Sequence, residues 1–297
     1  MKKNRILVCI HIYYHNQVDY IIEKLSNLNR LNYDIFITYS EKNEETNKKF
    51  LDFDKNARFL LVENKGYDIY PFLTLINKIN LEKYFCVLKL HTKNHDKTGS
   101  YIWRDQLYNN LMETKTIFRK NLGKLKKYGI VGSKYRITEM ENYWPEDSWL
   151  FEKVCKQIGI PATKTKFVAG TIFLARIEII KKIKELNLLQ LDFESKKIET
   201  GSNSTNAHVV ERLFGVICNQ LGYKIYGSNQ RKIFSRDWNK ETVEKIFSIK
   251  NLDAYKYITI FGFLIKLNRY NYQINGKRNK LFLIKNNKTV FFKKKTN

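Results

Sequence analysis

Alternating basic residues close a stretch that is predicted to be a β-strand, Tyr84–His91. Lys89, His91 and Lys93 are spaced two apart there. Alternate residues of a strand point to the same side, so these three side chains could together hold an anion such as a diphosphate. The alternative is a solvent-exposed strand edge without a ligand. Because His91 follows an apolar run, the pattern favours the anion site.

A second polar segment, NKGYDIYPF, follows the strand predicted at Arg58–Glu63. Gly66 permits a tight turn or the close approach of a ligand. Asp68 precedes a helix whose first turn holds Pro71, so its carboxylate could cap that helix or bind a ribose hydroxyl. Spacing alone leaves both alternatives open, and capping is the commoner outcome.

A third segment, VAGTIFLAR, lies within a strand predicted at Phe167–Arg176. Its small residues, which include Gly170 and Thr171, leave room for a ligand against the backbone or for close strand packing. In a fourth segment, HVVERLFG, His208 and Glu211 are three residues apart and share one helix face. Glu211 could act as a general base on a hydroxyl, or it could be an ordinary surface charge.

Short apolar strands alternate with amphipathic helices in the first half, which predicts a parallel, doubly wound α/β sheet. Ligands bind such sheets at the carboxyl ends of the strands, where the polar segments above lie. Loops are expected at Tyr135–Trp149 and Glu199–Asn206. The further predicted strands are Arg5–Tyr13, Asp34–Tyr39 and Gly129–Ser133, and the helices are Val18–Leu28, Asn47–Leu51, Pro71–Ile79, Lys115–Lys127, Ile177–Leu186 and Ala207–Leu221.

The chain of 297 residues carries a formal net charge of +25, from 54 Lys and Arg against 29 Asp and Glu. This charge indicates a polyanionic partner such as nucleic acid, an anionic membrane or a sugar nucleotide, or else a coding background rich in Lys, Asn and Ile. The four cysteines are far apart and lie in apolar contexts, which is typical of reduced core thiols in a cytosolic protein. No stretch is apolar enough to span a bilayer, and the N-terminus is predicted to be a strand rather than a signal peptide.

The C-terminal segment contains no acidic residue from Ala254 onward. Its lysines, interleaved with aromatic residues, could attach the protein to an anionic membrane surface. The alternative is a packed strand pair with exposed lysines, in which the sequence LFLIKNNKTVFF forms a hairpin around Asn286 and Asn287. The two interpretations are compatible.

Six motifs in this order resemble the rhamnan-synthesis F family of glycosyltransferases. They begin with the H-x-Y-Y of His11, Tyr13 and Tyr14. The others are NKGYDIYPF, KLHTK followed by Trp103 and Arg104, IVGS, VAGTIFLAR and HVVERLFG. The resemblance covers about residues 5 to 220. It implies a GT-A-like (Rossmann-like) mixed sheet flanked by helices, and the transfer of rhamnose or a related sugar to a cell-surface glycan.

The resemblance also implies roles for individual residues. Glu211 would be the catalytic base, and His208 would orient the donor or acceptor. Trp103, Arg104, Gly170 and Thr171 would border the sugar or acceptor pocket. The donor-binding residues would be His11, Tyr13, Gly66, Asp68, Lys89, His91 and Lys93.

The resemblance places KLHTK where many GT-A enzymes carry an Asp-x-Asp metal motif. Lys89, His91 and Lys93 would then neutralise the diphosphate directly, which leaves open whether a divalent metal (Mn²⁺ or Mg²⁺) takes part. His91, His95 and Asp96 form an alternative metal cluster. The sequence departs from the family pattern at Tyr67 and Tyr70, where Arg and Gly are expected, so the identity of the donor stays open.

We therefore expect a glycosyltransferase domain at 1–240 and a basic, aromatic segment at 241–297 that could bind a membrane. The expected partners are a nucleotide-sugar donor, a glycan or polyprenyl-linked acceptor and an anionic membrane, with the protein at the cytoplasmic face. A non-catalytic module of a polysaccharide assembly complex is one alternative. A nucleic-acid-binding protein is another, but the basic residues show no recognition-helix or zinc-finger pattern, so we expect no nucleic-acid partner.

Overall fold

A computed structural model describes residues 5–95, 99–194 and 205–229, together with five strands between 247 and 292. The chain divides into two compact units, residues 1–230 and 231–297. No helix in the described part is both long and apolar enough to cross a membrane.

The first unit is built on a seven-stranded sheet flanked by helices, with a separate two-stranded sheet beside it. Its strands are β1 (Ile6–Ile12), β2 (Tyr33–Tyr39), β3 (Arg58–Leu61), β4 (Cys86–His91), β5 (Ile130–Ser133), β6 (Ile137–Glu139), β7 (Lys166–Val168), β8 (Phe173–Arg176) and β9 (Ile225–Ser228). Its helices are α1 (Val18–Leu25), α2 (Glu44–Phe53), α3 (Ile69–Lys78), α4 (Ile102–Met112), α5 (Lys115–Lys124), α6 (Trp144–Gln157), α7 (Ile177–Glu185) and α8 (Asn206–Gln220).

The strand order in the large sheet is β3-β2-β1-β4-β8-β5-β9. The first four strands in this order, from β3 to β4, run parallel to one another, as predicted. Strand β8 runs antiparallel to both β4 and β5, which makes the sheet mixed. The carboxyl ends of β1 and β4 therefore meet the chain that enters β8, and the polar segments of the sequence converge there.

Strand β1 shows why this sheet has a core on each of its two faces. Every residue of β1 is buried. Leu7 and Cys9 pack with α3, α6, α7 and α8, whereas Ile6, Val8 and Ile10 pack with α1, α2, α4 and α5. Successive side chains of a strand alternate between faces, so a strand covered on both sides is a continuous apolar run.

Two predictions for the middle of the chain are wrong. Phe167–Arg176 is not one strand, because the chain turns at Gly170 and Thr171, whose φ angles are +86° and +46°. The turn sends β7 to pair with β6 and β8 into the large sheet. The loop expected at Tyr135–Trp149 instead contains β6 and the start of α6. Pro145 is the second residue of α6, where its missing N–H costs little.

Two helices are longer than predicted at their N-termini. Helix α2 begins at Glu44 because the side chain of Asn43 accepts a hydrogen bond from the Thr46 N–H. Helix α3 begins at Ile69, so Pro71 lies within its first turn rather than at its first residue.

The second unit contains an antiparallel sheet in the order β10-β11-β12-β13-β14. The strands are β10 (Phe247–Leu252), β11 (Tyr255–Ile260), β12 (Phe263–Asn268), β13 (Leu281–Lys285) and β14 (Lys288–Phe292). Strands β13 and β14 pair with Lys285 opposite Lys288, which confirms the predicted hairpin. The lysines at 293–295 and the loop expected at Glu199–Asn206, up to residue 204, lie outside the described residues.

Candidate active site

Two left-handed turns face each other beyond the carboxyl ends of the central strands. Gly66 and Tyr67 have φ angles of +60° and +54°, and Gly170 and Thr171 form the second pair. Positive φ is rare for side chains such as tyrosine and is disfavoured most strongly for β-branched threonine. Such strain persists only where surrounding contacts impose it, and it is common at functional sites.

A buried ion pair links the two turns. Lys89 Nζ, on a side chain that is 2% exposed, contacts the Asp68 carboxylate. It also donates to Thr171 Oγ1 at 2.9 Å, and the Thr171 hydroxyl itself donates to Asp68. Asp68 precedes α3 without capping it. Its carboxylate instead holds Lys89 and Thr171, so the structure supports neither the predicted cap nor a free ribose-binding group.

The ion pair keeps Asp68 ionised. Burial alone would raise the pKa of Asp68, but neighbouring His91 and Lys89, with the hydrogen bonds from Lys89 and Thr171, hold it well below its usual value. The charge of Lys89 is therefore compensated inside the protein. Lys89 lies behind the strand ends rather than among the groups that could meet an anion directly.

His91 connects the strand end to the Gly170 turn. Its Nε2 lies 2.8 Å from the Gly170 carbonyl and its Nδ1 lies 2.8 Å from the Thr92 carbonyl. Burial lowers the pKa of His91, whereas the Asp68 carboxylate and the hydrogen bond to Gly170 raise it. A neutral imidazole has one N–H and donates to only one of these carbonyls. A protonated ring donates to both. In either state the His91 nitrogens face backbone carbonyls, so they are not available to an anion.

Glu211 lies on the other side of the same glycine. The Gly170 N–H donates to Glu211 Oε1 at 2.6 Å. Burial raises the pKa of Glu211 to about 7, although the Gly170 hydrogen bond opposes this shift. A carboxylate with a pKa near 7 can take up a proton at physiological pH. The prediction that Glu211 is an ordinary surface charge does not fit this environment.

His208 lies one helical turn before Glu211, at the start of α8. Thr205 caps the helix by accepting from the His208 N–H at 3.3 Å, and its hydroxyl also lies 2.6 Å from His208 Nδ1. The His208 ring packs against Tyr67, with 5.6 Å between ring centroids. The left-handed turn at Gly66 and Tyr67 therefore places the exposed Tyr67 ring at the start of α8, the helix that carries His208 and Glu211.

His11 and Tyr13 end β1 in different environments. His11 is buried with Nδ1 3.1 Å from Thr38 Oγ1, and burial lowers its pKa to about 3. It is a neutral group. Tyr13 is 52% exposed, and the Thr92 hydroxyl fixes its position by accepting its backbone N–H at 3.0 Å. Of the two, Tyr13 is the side chain available to a ligand.

Gly66 serves packing rather than ligand approach. Its N–H donates to the Glu194 carbonyl at 2.9 Å. A Cβ at this position would lie 2.6 Å from the Phe193 ring and 2.9 Å from the Tyr70 Cβ. Gly66 thus allows the tight turn and the contact with Phe193. Of the two roles that the sequence left open for this glycine, the structure supports the tight turn.

Trp103 and Arg104 are adjacent in α4 but have different surroundings. Trp103 is 40% exposed, and its Nε1 would lie 3.2 Å from a Cβ at Gly170, so it lies beside the Gly170 turn. Arg104 instead lies over the rings of Tyr20 and Tyr101, at 3.8 and 4.0 Å from their centroids. Its charge is paired with Asp105, so we assign Arg104 to packing of α4.

Several residues that contribute to this site were not predicted. Arg136 lies over the Trp103 ring, and its carbonyl accepts the Ala169 N–H. The Thr92 hydroxyl accepts from the backbone N–H of Tyr13, and Gln17 binds the backbone of Lys93 through the nitrogen and the oxygen of its side-chain amide. Thr92 could have been found from the sequence, because it lies within the KLHTK motif. Nothing local in the sequence indicated Arg136, whose contact with Trp103 is made across the fold.

Among the described residues, no set of side chains forms a site for a metal ion. The described residues contain no group of three or more His, Cys, Asp or Glu side chains that could hold one. The carboxylate nearest the strand ends, Asp68, is already bound to Lys89. Asp96, which belongs to the predicted cluster with His91 and His95, lies outside the described residues.

Comparison with known proteins gives one family match. A family described as rhamnan synthesis protein F matches residues 1–223. Two curated proteins described as "Uncharacterized protein WxcX", from two strains of Xanthomonas campestris pv. campestris, are each 25% identical over 169 residues. That alignment covers 55% of this chain but 24% of each relative, so the chain spans about a quarter of their length.

Among solved structures, 4-diphosphocytidyl-2C-methyl-D-erythritol synthase from Anaerococcus prevotii is similar at a TM-score of 0.41 and 12% identity, over 82% of this chain and 96% of that one. The galactosyltransferase LgtC, solved with donor and acceptor sugar analogues, aligns at a TM-score of 0.35 and 11% identity, over 80% and 81%.

Proposed function

Since the chain belongs to the rhamnan synthesis protein F family, we propose that it is a glycosyltransferase, which transfers rhamnose or a related sugar from a nucleoside-diphosphate donor to a growing cell-surface glycan. The observation that carries the proposal is the geometry around Gly170. A glutamate with a pKa of about 7 is held by the Gly170 N–H at the edge where the central strands end.

Glu211 is the base in this proposal. A hydroxyl of the acceptor gives its proton to the Glu211 carboxylate as the hydroxyl oxygen bonds to the anomeric carbon of the donor sugar. The bond from that carbon to the diphosphate oxygen breaks, and its electron pair leaves with the nucleoside diphosphate. A direct displacement of this kind inverts the configuration at the anomeric carbon. His208 lies beside the base and orients the reacting sugar.

The donor would lie along the ends of β1 and β4. Tyr13 is the exposed side chain there, and Lys93 supplies a positive charge for the diphosphate. Lys89, His91 and Asp68 act behind them, because their contacts hold Thr171 and Gly170 in place. Trp103, Gly170 and Tyr67 would border the sugar being transferred.

The acceptor is a glycan, which could be carried on a polyprenyl lipid at the cytoplasmic face of the membrane. The basic segment 241–297 would attach the enzyme to that anionic surface. Each Lys or Arg near such a surface contributes about 1 kcal/mol, so a few suffice for peripheral binding. Vesicles with and without anionic lipid measure this attachment directly.

Donor hydrolysis tests the proposed activity without knowledge of the acceptor, because water replaces the acceptor hydroxyl. The protein is incubated with dTDP-, UDP- and GDP-sugars, with EDTA or with added Mn²⁺, and release of nucleoside diphosphate is measured. We expect one nucleotide class to be hydrolysed by the native protein and not by Glu211→Gln. Glu185→Gln is the matched control, since Glu185 is an exposed helix glutamate paired with Lys182.

If the native protein hydrolyses none of these donors and transfers none to a lipid-linked glycan, the catalytic proposal fails. A non-catalytic role in polysaccharide assembly would then be favoured. Equal activity of Glu211→Gln and native protein would instead contradict only the assignment of the base.

A further inference from the structure

Two cationic side chains from distant parts of the chain lie over one exposed aromatic ring. Lys93 Nζ is 4.3 Å from the centroid of the Trp103 ring, and the Arg136 guanidinium carbon is 4.5 Å from it. We call Lys93, Trp103 and Arg136 the basic cluster. Like charges held this close repel each other, and the indole ring offsets that repulsion only in part.

The backbone around each member of the basic cluster is fixed. The Gln17 side chain donates to the Lys93 carbonyl at 2.9 Å and accepts from the Lys93 N–H at 3.3 Å. The Arg136 carbonyl accepts the Ala169 N–H at 2.7 Å, and Arg136 Nη2 donates to Gln106 Oε1 at 2.6 Å. The Arg136 guanidinium and the backbone of Lys93 are therefore positioned before any ligand binds, which lowers the entropy cost of binding.

The basic cluster lies beside the candidate base. Trp103 Nε1 approaches the Gly170 turn that holds Glu211. The positive charge of Lys93 lowers the pKa of both Glu211 and His91, which places this charge within electrostatic range of each. Within the described residues no acidic side chain forms an ion pair with Lys93, whereas the neighbouring Arg104 is paired with Asp105.

We propose that the basic cluster binds a diphosphate group, with Arg136 and Lys93, which both lie at the Trp103 ring, contacting its oxygens. A guanidinium presents several N–H donors in a plane that matches two phosphate oxygens, and lysine adds a point charge. The proposal rests on the proposed function for the identity of the ligand. It adds a diphosphate-binding residue, Arg136, that no motif of the sequence indicated.

The position of the basic cluster favours the diphosphate of the nucleotide donor. In a direct displacement, the leaving diphosphate and the attacking hydroxyl are both bonded to the same anomeric carbon in the transition state. A diphosphate site must therefore lie close to the base, as the basic cluster lies close to Glu211. Fixed cations here would also stabilise the charge that develops on the leaving group. A polyprenyl diphosphate carries the same group and is the other source to be tested.

Equilibrium binding of the full-length protein to four probes tests the inference. The probes are inorganic pyrophosphate, dTDP, UDP and farnesyl diphosphate, measured by calorimetry at low and high salt. We expect Arg136→Ala and Lys93→Ala each to weaken binding of pyrophosphate and of the preferred nucleoside diphosphate by about tenfold or more, because each removes a charge-assisted hydrogen bond. Arg136→Lys should restore part of the loss.

The control variants each remove one arginine or one lysine charge that lies outside the basic cluster. Arg58 lies over the Phe36 ring and Lys124 over the Tyr226 ring, at 5.0 and 4.8 Å from the centroids. Arg58→Ala and Lys124→Ala should bind all four probes like the native protein. Thermal denaturation of every variant separates lost binding from lost folding.

The results distinguish the inference from the function on which it rests. If Arg136→Ala binds pyrophosphate and nucleotides like the native protein, the basic cluster is not a diphosphate site, even if the enzyme hydrolyses sugar donors. The same conclusion follows if the native protein binds none of the four probes. If Arg136→Ala binds diphosphates more weakly but the native protein hydrolyses no sugar donor, the diphosphate site is supported and the proposed activity is contradicted. A loss seen with farnesyl diphosphate alone assigns the cluster to the lipid-linked acceptor and overturns the donor assignment.

Discussion

Glu211 accepts a hydrogen bond of 2.6 Å from the backbone N–H of Gly170, which lies 41 residues earlier in the chain. The carbonyl of the same glycine faces His91 Nε2 at 2.8 Å. Gly170 thereby joins the start of α8 to the end of β4 through its two backbone polar groups. The next residue, Thr171, is held by Asp68 and Lys89, so the buried ion pair fixes the glycine that orients Glu211, the proposed base.

Replacement of Glu211 by Gln should reduce donor hydrolysis by about 10²- to 10⁴-fold, the usual contribution of a general base. Gln keeps an oxygen that can accept the Gly170 N–H, so the fold should be retained. The activity of the native protein should rise as pH increases through about 7 and level off above it, because Glu211 must lose its proton to act as a base. Initial rates of donor hydrolysis between pH 5 and 9 measure this rise in activity. A flat profile would exclude Glu211 as the titrating group.

The same carboxyl group should make stability depend on pH. Burial raises the pKa of Glu211 above its unfolded value, so the folded state binds the proton more tightly than the unfolded chain does. The free energy of unfolding contributed by Glu211 is therefore greatest below about pH 4.5 and falls as pH rises through about 7. Chemical denaturation at pH 5 and pH 8 should show this decline relative to Glu211→Gln, in which the contribution is absent. Parallel changes in the two proteins would contradict the raised pKa.

Removal of one partner of the buried ion pair should cost more than removal of both. Lys89→Met leaves the Asp68 carboxylate buried without its cation, which should lower the free energy of unfolding by about 3 to 5 kcal/mol. The double variant Lys89→Met with Asp68→Asn removes both charges and should recover a large part of that loss. Denaturant unfolding of the two single variants and the double variant forms a mutant cycle. Additive losses would show that the two charges do not interact.

The Thr171 hydroxyl should matter for activity through the position of Gly170. Thr171→Ser keeps the hydrogen bonds to Asp68 and Lys89, and should retain most donor hydrolysis. Thr171→Val keeps the shape but leaves both charged partners without this hydroxyl, which should lower activity and also shift the pH at which Glu211 titrates. The pH profile is the decisive readout, because a variant that is merely less stable would leave the titration midpoint unchanged.

Much of the fold could be predicted because its signals are local. The apolar run of β1 and the helical spacing of α1 and α8 depend on neighbours in the sequence, and the structure confirms these three elements. The Gly170 turn could not be predicted in this way. Thr171 has a strong preference for strands, and its left-handed conformation is imposed by Asp68, 103 residues earlier in the chain. Tertiary contacts overrode local propensity there.

The site shows the same division. The sequence motifs contain Glu211 and Trp103, which lie beside Gly170 in the structure. They also contain Lys93, which lies over the Trp103 ring, and His208, which packs against Tyr67. Their chemical states were not predictable, because a lysine at the end of a strand looks like an anion-binding group whether or not a carboxylate meets it. Lys89 is paired with Asp68, which the spacing of 21 residues could not indicate.

Two glycines in helices offer a final contrast, which tests the packing that supports α8. A Cβ at Gly215 would overlap the backbone carbonyl of Lys166, which lies at the start of β7. Gly215→Ala should therefore force α8 away from β7 and lower the free energy of unfolding by about 1 to 3 kcal/mol, despite the higher helix propensity of alanine. The strain would act close to the chain that enters the Gly170 turn, so donor hydrolysis should fall as well.

Gly123 in α5 is the matched control, because it is exposed and no atom lies within 4 Å of a Cβ built there. Gly123→Ala should raise the free energy of unfolding by up to about 1 kcal/mol, the difference in helix propensity between the two residues. Denaturant unfolding of both variants at one pH measures the contrast. If Gly215→Ala were as stabilising as Gly123→Ala, the close approach of α8 to β7 would not exist in solution. The path by which α8 positions Glu211 beside Gly170 would then have to be different.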